Sequence, residues 1–171
     1  MTYCNPRQYC DQFGLNEATM LLQDEEQTLE QHMLNAVVRN DPVLLEPLNT
    51  PELAVAQAAL ARLTDALSQA SRFMDGYLRS AVTLPLTEDQ IKLTTLKSCC
   101  AELTRCILMD DSDNATELAE KRCETQRKWL REVNAKIVKL FPDDDAFSVD
   151  SNETRHGIGK TSTNWTGYGY P

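Results

Sequence analysis

Several features that accompany catalysis or membrane insertion are scarce in this sequence. It has only two histidines, and aromatic residues make up 6% of its 171 positions. No apolar run approaches the roughly 20 residues that a membrane-spanning helix needs. Residues 1–6 contain neither the basic stretch nor the apolar stretch of a secretion signal. We therefore expect a protein that is made in the cytoplasm and has no membrane partner.

Metal-binding and redox motifs are also missing among the cysteines. No two cysteines have the spacing of a CxxC motif, and the cluster around Cys99 has no second cluster at a spacing suited to a metal. Cytoplasmic proteins rarely keep disulfides. We therefore predict six reduced thiols that pack as small buried side chains, namely Cys4, Cys10, Cys99, Cys100, Cys106 and Cys123.

A catalytic site is equally hard to find. His32 lies in a stretch of unclear structure and His156 lies in a polar region, so nothing places either beside a cysteine. The acidic run at 110–113 lacks the spacing and the glycine of a calcium loop and fits a hydrated connection between helices. Residues 156–161 end like a phosphate loop but lack its first glycine. We predict no catalytic residue, no cofactor and no bound metal.

The charge balance disfavours nucleic-acid binding. The chain has 26 acidic and 17 basic residues, which gives a formal charge of −9. Such a protein gains nothing from the release of counterions that drives proteins onto DNA or RNA. An acidic surface does suit a channel through which DNA slides without sticking, although it also simply keeps copies of a soluble protein apart.

The strongest periodic pattern follows Thr50-Pro51. From Glu52 to about Ala81, apolar residues recur in steps of three and four, which predicts an amphipathic helix roughly 45 Å long. The residues of this apolar face are Leu53, Ala56, Leu60, Leu63, Leu67, Ala70, Met74 and Tyr77. Pro85 follows in an extended stretch, 82–86, where a helix cannot continue.

Two further long helices are predicted after this stretch. Thr87 and Gln90 form a capping box that opens a helix, and its apolar face carries Leu93, Leu96, Cys100, Leu103 and Ile107. Asn114 with Glu117 is predicted to cap the last helix. Trp129 is expected to flank the apolar face, or seam, of this helix and to close one end of the core. That seam consists of Ala119, Cys123, Gln126, Leu130, Val133 and Ile137.

The N-terminal third is expected to hold short helices. Asn5-Pro6 starts one that stops at Gly14, and Asn16 caps a second from Glu17 to about Gln23. Residues 24–49 are less clear, with a helix possible only between Leu29 and Val38 before two prolines. The fold class is therefore all-α, a bundle of three main helices with short N-terminal helices and an extended C-terminal arm.

The composition changes abruptly after Phe141, so we divide the chain into a helical domain, 1–141, and a C-terminal arm, 142–171. The arm has no helical period and cannot bury enough apolar surface to fold alone. Its late aromatic residues predict anchors for a partner, with two basic residues at the rim of the contact. These residues are Trp165, Tyr168 and Tyr170 as anchors and Arg155 and Lys160 at the rim. The alternative is an idle tail.

Gly76 interrupts the long predicted helix near its end. Glycine inside a helix costs about 1 kcal/mol relative to alanine, so we expect the close approach of another helix or of a neighbouring subunit to offset it. A mild kink as the helix ends is the alternative. Asp75 and Arg79 are four residues apart and fit a surface ion pair.

The order of these segments resembles a known family. The stretch Ala66–Leu78 reads ALSQASRFMDGYL and leads to Leu84-Pro85-Leu86, after an opening Met1-Thr2-Tyr3-Cys4. This resembles the phage Mu-like family of small head proteins, whose core has the pattern A-x-x-x-I-D-G-Y-L followed by L-P-L. That family is similar in turn to the helical head–tail adaptors beneath the portal of tailed phages.

The resemblance covers residues 1–23 and 65–140, where it also includes Arg122-Cys123-Glu124 and Trp129-Leu130. The stretch 24–64 is longer than the family pattern, and the segment after Pro142 lies outside it. No catalytic residues are implied. The matching positions are expected to shape a turn and a subunit contact, and they are Asp75, Gly76, Tyr77, Leu84, Pro85 and Leu86.

The resemblance implies a head-to-tail connector in the neck of the virion. Its expected partners are its own copies in a twelvefold ring, the portal protein, and the next neck or tail-completion protein. Phage DNA would pass through the lumen without sequence-specific binding. The alternatives are a tail-completion factor that contacts the tail tube, a small enzyme using a cysteine and His32, and a DNA-binding protein.

Overall fold

The structure is a computed structural model that describes residues 2–23, 28–111 and 117–141, without the side chains of residues 110 and 111. Within these ranges the chain is helical and contains no strand, so the all-α prediction is confirmed. The helices are α1 (Pro6–Phe13), α2 (Leu15–Leu22), α3 (Gln31–Arg39), α4 (Pro42–Leu45), α5 (Thr50–Leu78), α6 (Glu88–Lys92), α7 (Leu96–Asp111) and α8 (Glu117–Asn134).

Helix α5 forms the centre of the bundle. Asn49 accepts a hydrogen bond from the Glu52 N–H at 2.9 Å and donates its own N–H to the Glu52 carboxylate at 3.0 Å, a capping box that fixes the start of the helix. The predicted helix began at Glu52 and ended near Ala81, but α5 ends at Leu78. It ends there because the N–H groups of Ala81 and Val82 both turn back to the Leu78 carbonyl at 2.9 Å.

The core lies on both sides of α5. Helix α3 packs on one side and helices α7 and α8 pack on another. The short N-terminal helices contribute large side chains that are fully buried, including Tyr9, Leu22 and Leu34. Three long helices therefore do not account for the core alone, because the N-terminal segments supply a substantial share of it.

The second long helix is interrupted. The capping box at Thr87 is confirmed, with the Gln90 N–H 3.3 Å from the Thr87 hydroxyl, but α6 ends at Lys92 and α7 begins at Leu96. The Thr94 hydroxyl donates to the Ile91 carbonyl at 3.0 Å, a bond that competes with helix continuation. The prediction that Leu93 belongs to the apolar face is wrong, since it is 81% exposed.

Helix α8 buries Ala119, Cys123, Leu130 and Val133 as predicted, but Ile137 is 75% exposed and not part of the seam. The helix ends earlier because Lys136 has φ 57°, and the N–H groups of Lys136 and Ile137 bond to Val133 and Glu132. This is the left-handed C-terminal motif that usually contains glycine. The predicted cap at Asn114 lies outside the described residues.

The short helices match their predictions closely. Helix α1 begins with a capping box at Asn5 and stops before Gly14, which has φ 85°. Helix α2 begins at Leu15, two residues earlier than predicted, so Asn16 lies in its first turn and is not its cap. Helix α3 falls within the stretch where one was expected, displaced by two residues at its start.

One cysteine pair contradicts the prediction of six reduced thiols. Cys106 on α7 and Cys123 on α8 form a disulfide, with their Cα atoms 6.0 Å apart. The two helices pack side by side, and this places both thiols at their common seam, which sequence spacing alone does not reveal. The other four cysteines are free and buried, as predicted.

Candidate functional site

The candidate site is a cleft of about 790 Å³ at the end of α5, which we call the α5 cleft. Four of the six predicted contact positions line it, namely Asp75, Leu84, Pro85 and Leu86. Its other lining residues are Tyr3, Arg79, Ser80, Ala81, Val82, Thr83, Gln90, Lys136 and Phe141. The cleft therefore joins the N-terminus, the end of α5, the loop 79–87 and the segment after α8. The Leu84–Pro85 peptide bond is cis.

Asp75 anchors the N-terminal segment onto α5. The Tyr3 hydroxyl donates a hydrogen bond to the Asp75 carboxylate, and the Tyr3 N–H donates to the Ser71 hydroxyl at 3.2 Å. Burial, together with the nearby carboxylate of Asp75, raises the pKa of Tyr3 well above its usual range, so the hydroxyl stays protonated and keeps donating. The partner of Asp75 is therefore Tyr3, and we find no ion pair with Arg79 within the described residues.

Two cationic side chains stand at the open side of the α5 cleft, and apolar side chains form part of its wall. Arg79 and Lys136 are exposed at its edge, while Val82, Leu84 and Phe141 are half-buried. Two acidic residues, Glu88 and Asp89, stand just before Gln90 in the first turn of α6. The cleft thus offers apolar surface, two cations and an adjacent acidic turn.

The other two predicted contact residues, Gly76 and Tyr77, do not line the cleft. Gly76 is exposed, and a Cβ atom built on it would meet no described atom within 4 Å, so no close approach within the described residues explains it. The expectation of a neighbouring helix in the same chain is wrong, and a neighbouring subunit stays a prediction. Tyr77 is half-buried against the core, with its ring 5.1 Å from that of Phe73.

A cluster of charges between α1, α2 and α7 was missed by the sequence analysis. Arg105 forms ion pairs with Glu17 and, at 3.9 Å, with Glu102, and its guanidinium lies 5.2 Å from the centre of the Phe13 ring. Phe13 and Glu17 are far from Arg105 in sequence, so no spacing signals these contacts, whereas Glu102 lies three residues before Arg105 on the same helix. The Arg105 side chain is only 15% exposed. The cluster therefore connects the N-terminal helices to the bundle through partly buried ion pairs.

The free cysteines have the properties of structural residues. Burial raises the pKa of Cys10 to about 11 and the pKa values of Cys4 and Cys99 to about 12. Their thiols are protonated at neutral pH and are poor nucleophiles. His32 is exposed on α3, and its Nδ1 atom lies 3.2 Å from the Glu30 carboxylate. The geometry gives no support to an enzyme that uses a cysteine with His32.

The free energy of unfolding is expected to fall as the pH rises above about 9. Unfolded thiols lose their protons near pH 9, whereas burial holds the pKa values of Cys10 and Cys99 at about 11 and about 12. Between these values the unfolded chain binds fewer protons than the folded chain, so increasing pH favours unfolding. Denaturant unfolding at about pH 8 and about pH 10 would measure the loss.

The control for this pH dependence is a variant with alanine at Cys10 and Cys99. It should lose less stability between the two pH values, because two of the groups responsible are gone. Equal losses in the two proteins would contradict the assignment to buried thiols.

Several of the predicted residues lie outside the part of the chain that the structure describes. Arg155, Lys160, Trp165, Tyr168 and Tyr170 lie outside the described residues, as do His156 and the side chains of the acidic run at 110–113. In the ranges that are described, no group of three or more His, Cys, Asp or Glu side chains is arranged to hold a metal ion. No helix there is long and apolar enough to cross a membrane.

The hydrogen bond between Tyr3 and Asp75 joins two parts of the predicted family pattern, the opening residues and the stretch Ala66–Leu78. A family model described as Bacteriophage Mu, Gp36 matches residues 3–156. The chain belongs to the bacteriophage Mu Gp36 family. Neither the curated proteins nor the solved structures contain a match.

The Gp36 match confirms the predicted resemblance and extends it. It runs through residues 24–64 and continues past Phe141 to residue 156, so the expectation that the family pattern stops at Pro142 is wrong. The protein is therefore a bacteriophage protein, and the Gp36 family favours a structural component over an enzyme.

Proposed function

We propose that this Gp36-family protein is a head-to-tail connector, or adaptor, which forms a ring beneath the portal. The ring extends the DNA channel and presents a platform for the next neck or tail protein. Its copies, expected to number twelve, pack side by side with their α5 helices next to each other. Its place is the neck of the virion.

The observation that carries this proposal is the open face of α5. This helix has 29 residues and is about 43 Å long, yet one face stays exposed along it. Small residues occupy much of that face, and Gly76 lies on it without a contact to the described part of its own chain that would explain it. The exposed positions of the face include Ala54, Ala58, Ala61, Asp65, Arg72 and Gly76. Small side chains let a neighbouring copy approach closely.

The formal charge supports the position around DNA. At −9 per copy, a ring of this protein repels the phosphate backbone, so DNA passes without being held. Retention of the purified protein on heparin at physiological salt would contradict this role and favour a DNA-binding protein.

The direct test is to mix the full chain with isolated portal rings of the same phage. Co-sedimentation and negative-stain images should show a second ring stacked on the portal. Chemical crosslinking in neck complexes adds a second measurement. If it captures a tail protein and never the portal protein, the role is that of a tail-completion factor.

Replacement of Gly76 by alanine is expected to stabilise the isolated chain and weaken the ring. Alanine gains about 1 kcal/mol over glycine inside a helix, and its Cβ atom has open space in the single chain. In the ring the same atom would push a neighbouring copy away. Urea unfolding measures the first effect, and the protein concentration at which rings form measures the second.

A Thr125→Ala variant serves as the control, since Thr125 is an exposed helical residue on α8, away from the α5 face. It should gain stability through helix propensity without changing ring formation. If Gly76→Ala forms rings as readily as Thr125→Ala does, the face around Gly76 is not the subunit contact.

The arm is tested by deleting residues 155–171. We expect the shortened chain to fold, since the described helices lie before residue 142, but to assemble onto the portal less well. Undiminished assembly would remove the arm from the proposed role.

A further inference from the structure

One residue of the α5 cleft has a backbone conformation that is uncommon for a residue with a side chain. Lys136 adopts φ 57° at the end of α8, in the position where glycine fits best. A lysine there makes the helix end less favourable than a glycine would, yet its side chain lines the cleft. The Lys136 side chain is therefore available to contact a group that the cleft binds.

The shape and chemistry of the cleft fit large aromatic side chains. Its volume of about 790 Å³ is in the range of pockets that enclose a sizeable group, and Val82, Leu84 and Phe141 supply apolar walls. Arg79 and Lys136 stand at its edge, where cations interact favourably with the faces of aromatic rings. Tyrosine and tryptophan can fill such a site while keeping their polar atoms at the rim.

The wall of the cleft also offers unpaired main chain. Within the described residues, the backbone N–H and C=O groups of Thr83 and Leu84 make no hydrogen bond. An extended peptide can pair with such groups, as in recognition by strand addition. The occupant is therefore expected to be an extended segment that carries aromatic residues.

We infer that the α5 cleft binds residues 165–170 from the C-terminal arm of a second copy of this chain. Those residues combine Trp165, Tyr168 and Tyr170 with two glycines. The inference rests on the proposed ring, because a contact in which every copy gives one arm and receives another closes head to tail.

The reach of the arm allows this exchange. Phe141 lines the cleft, so the arm leaves each copy at that cleft. Trp165 follows 24 positions later, and an extended chain of that length spans about 80 Å. This is enough to reach the corresponding cleft of an adjacent copy.

The end of the arm and the rest of the chain carry formal charges of opposite sign. Residues 155–171 contain Arg155 and Lys160 and no acidic residue, so their formal charge is +2. Because the whole chain has a formal charge of −9, residues 1–154 carry −11. The acidic turn at Glu88 and Asp89 precedes Gln90, which lines the cleft, and both side chains are exposed although Lys92 lies 4.0 Å and 3.3 Å from them. With the aromatic residues in the cleft, the two basic residues can contact this turn, which favours encounter between copies.

The test places a photoreactive phenylalanine analogue at Tyr168 in the full chain. Copies labelled with ¹⁵N are mixed with unlabelled copies, assembled and irradiated, and the crosslinked peptides are identified by mass spectrometry. We expect attachment to residues 79–86 or 136–141, in pairs that join a labelled copy to an unlabelled one. Pairs within single copies, or attachment elsewhere, would overturn the inference.

A second measurement uses Lys136→Gly, which keeps the helix end and removes the side chain. The protein concentration needed for ring formation should rise about tenfold. Asn40→Gly is the matched control, since Asn40 has φ 50° at the end of α3 and lies outside the cleft. Equal ring formation by both variants would overturn the role of Lys136.

The two proposals fail in different ways. Rings that bind the portal but show no crosslink between arm and cleft leave the connector role intact and end this inference. Copies that crosslink at the cleft but never bind the portal support the exchange of arms and contradict the connector role.

Discussion

Replacing Arg105 with alanine is expected to lower the free energy of unfolding by about 3 kcal/mol. The guanidinium pairs with Glu17 and Glu102, and all three side chains are less than one-third exposed. Alanine would leave two partly buried carboxylates near each other without a cation, a penalty that the unfolded chain does not pay. Urea unfolding of the two proteins, monitored by far-ultraviolet circular dichroism, gives the difference.

Two further variants separate this effect from a general loss of charge. Lys121→Ala removes an exposed ion pair with Glu117, 2.6 Å long, and should change stability by no more than about 0.5 kcal/mol. Arg105→Met combined with Glu17→Gln and Glu102→Gln removes all three charges together and should recover most of the loss. If Arg105→Ala costs no more than Lys121→Ala, the cluster does not hold the N-terminal helices to the bundle.

Removing the disulfide by Cys106→Ser with Cys123→Ser is expected to cost about 3 kcal/mol under non-reducing conditions. The bond closes a loop between residues 17 positions apart in the sequence and limits the freedom of the unfolded chain. Reductant should bring the unaltered protein close to the stability of the double variant. Denaturant unfolding of both proteins, with and without reductant, measures these differences.

A count of thiols provides an independent check on the disulfide. The denatured, unreduced protein should react as a chain with four free thiols, and the reduced protein as one with all six. Cys99→Ala, which alters a buried thiol outside the bond, should leave the response to reductant unchanged. Six reactive thiols without reductant would show that the pair is reduced.

Local patterns predicted most of the fold because they report on local physics. The cap at Asn5 and the capping box at Thr87 appear where expected, since each depends on residues within one turn of helix. The apolar spacing of α5 likewise predicted its buried face. The ends of α5 and α8 were less predictable, because the turn after Leu78 and the left-handed Lys136 depend on main-chain bonds that spacing does not encode.

Contacts between distant segments could not be predicted in the same way. The burial of Tyr9 and the charge cluster at Arg105 depend on how the short N-terminal helices pack on α7. The disulfide depends on the facing sides of α7 and α8. For the candidate site, the block from Asp75 to Leu86 was identified from the resemblance, but its meeting with Tyr3 and Lys136 was visible only in three dimensions.

The α5 cleft brings both ends of the described helical body to one place, since Tyr3 and Phe141 line it together. A force applied to the arm therefore acts close to the point where the N-terminal segment is attached. Tension between the arm and the N-terminal segment is carried by contacts at the cleft and is not transmitted along the helices. Under mechanical load, the contact of Tyr3 with Asp75 would open before the helices slide past each other. A single-molecule pulling experiment with handles at residues 2 and 141 should thus record an early, small extension ahead of the main unfolding step.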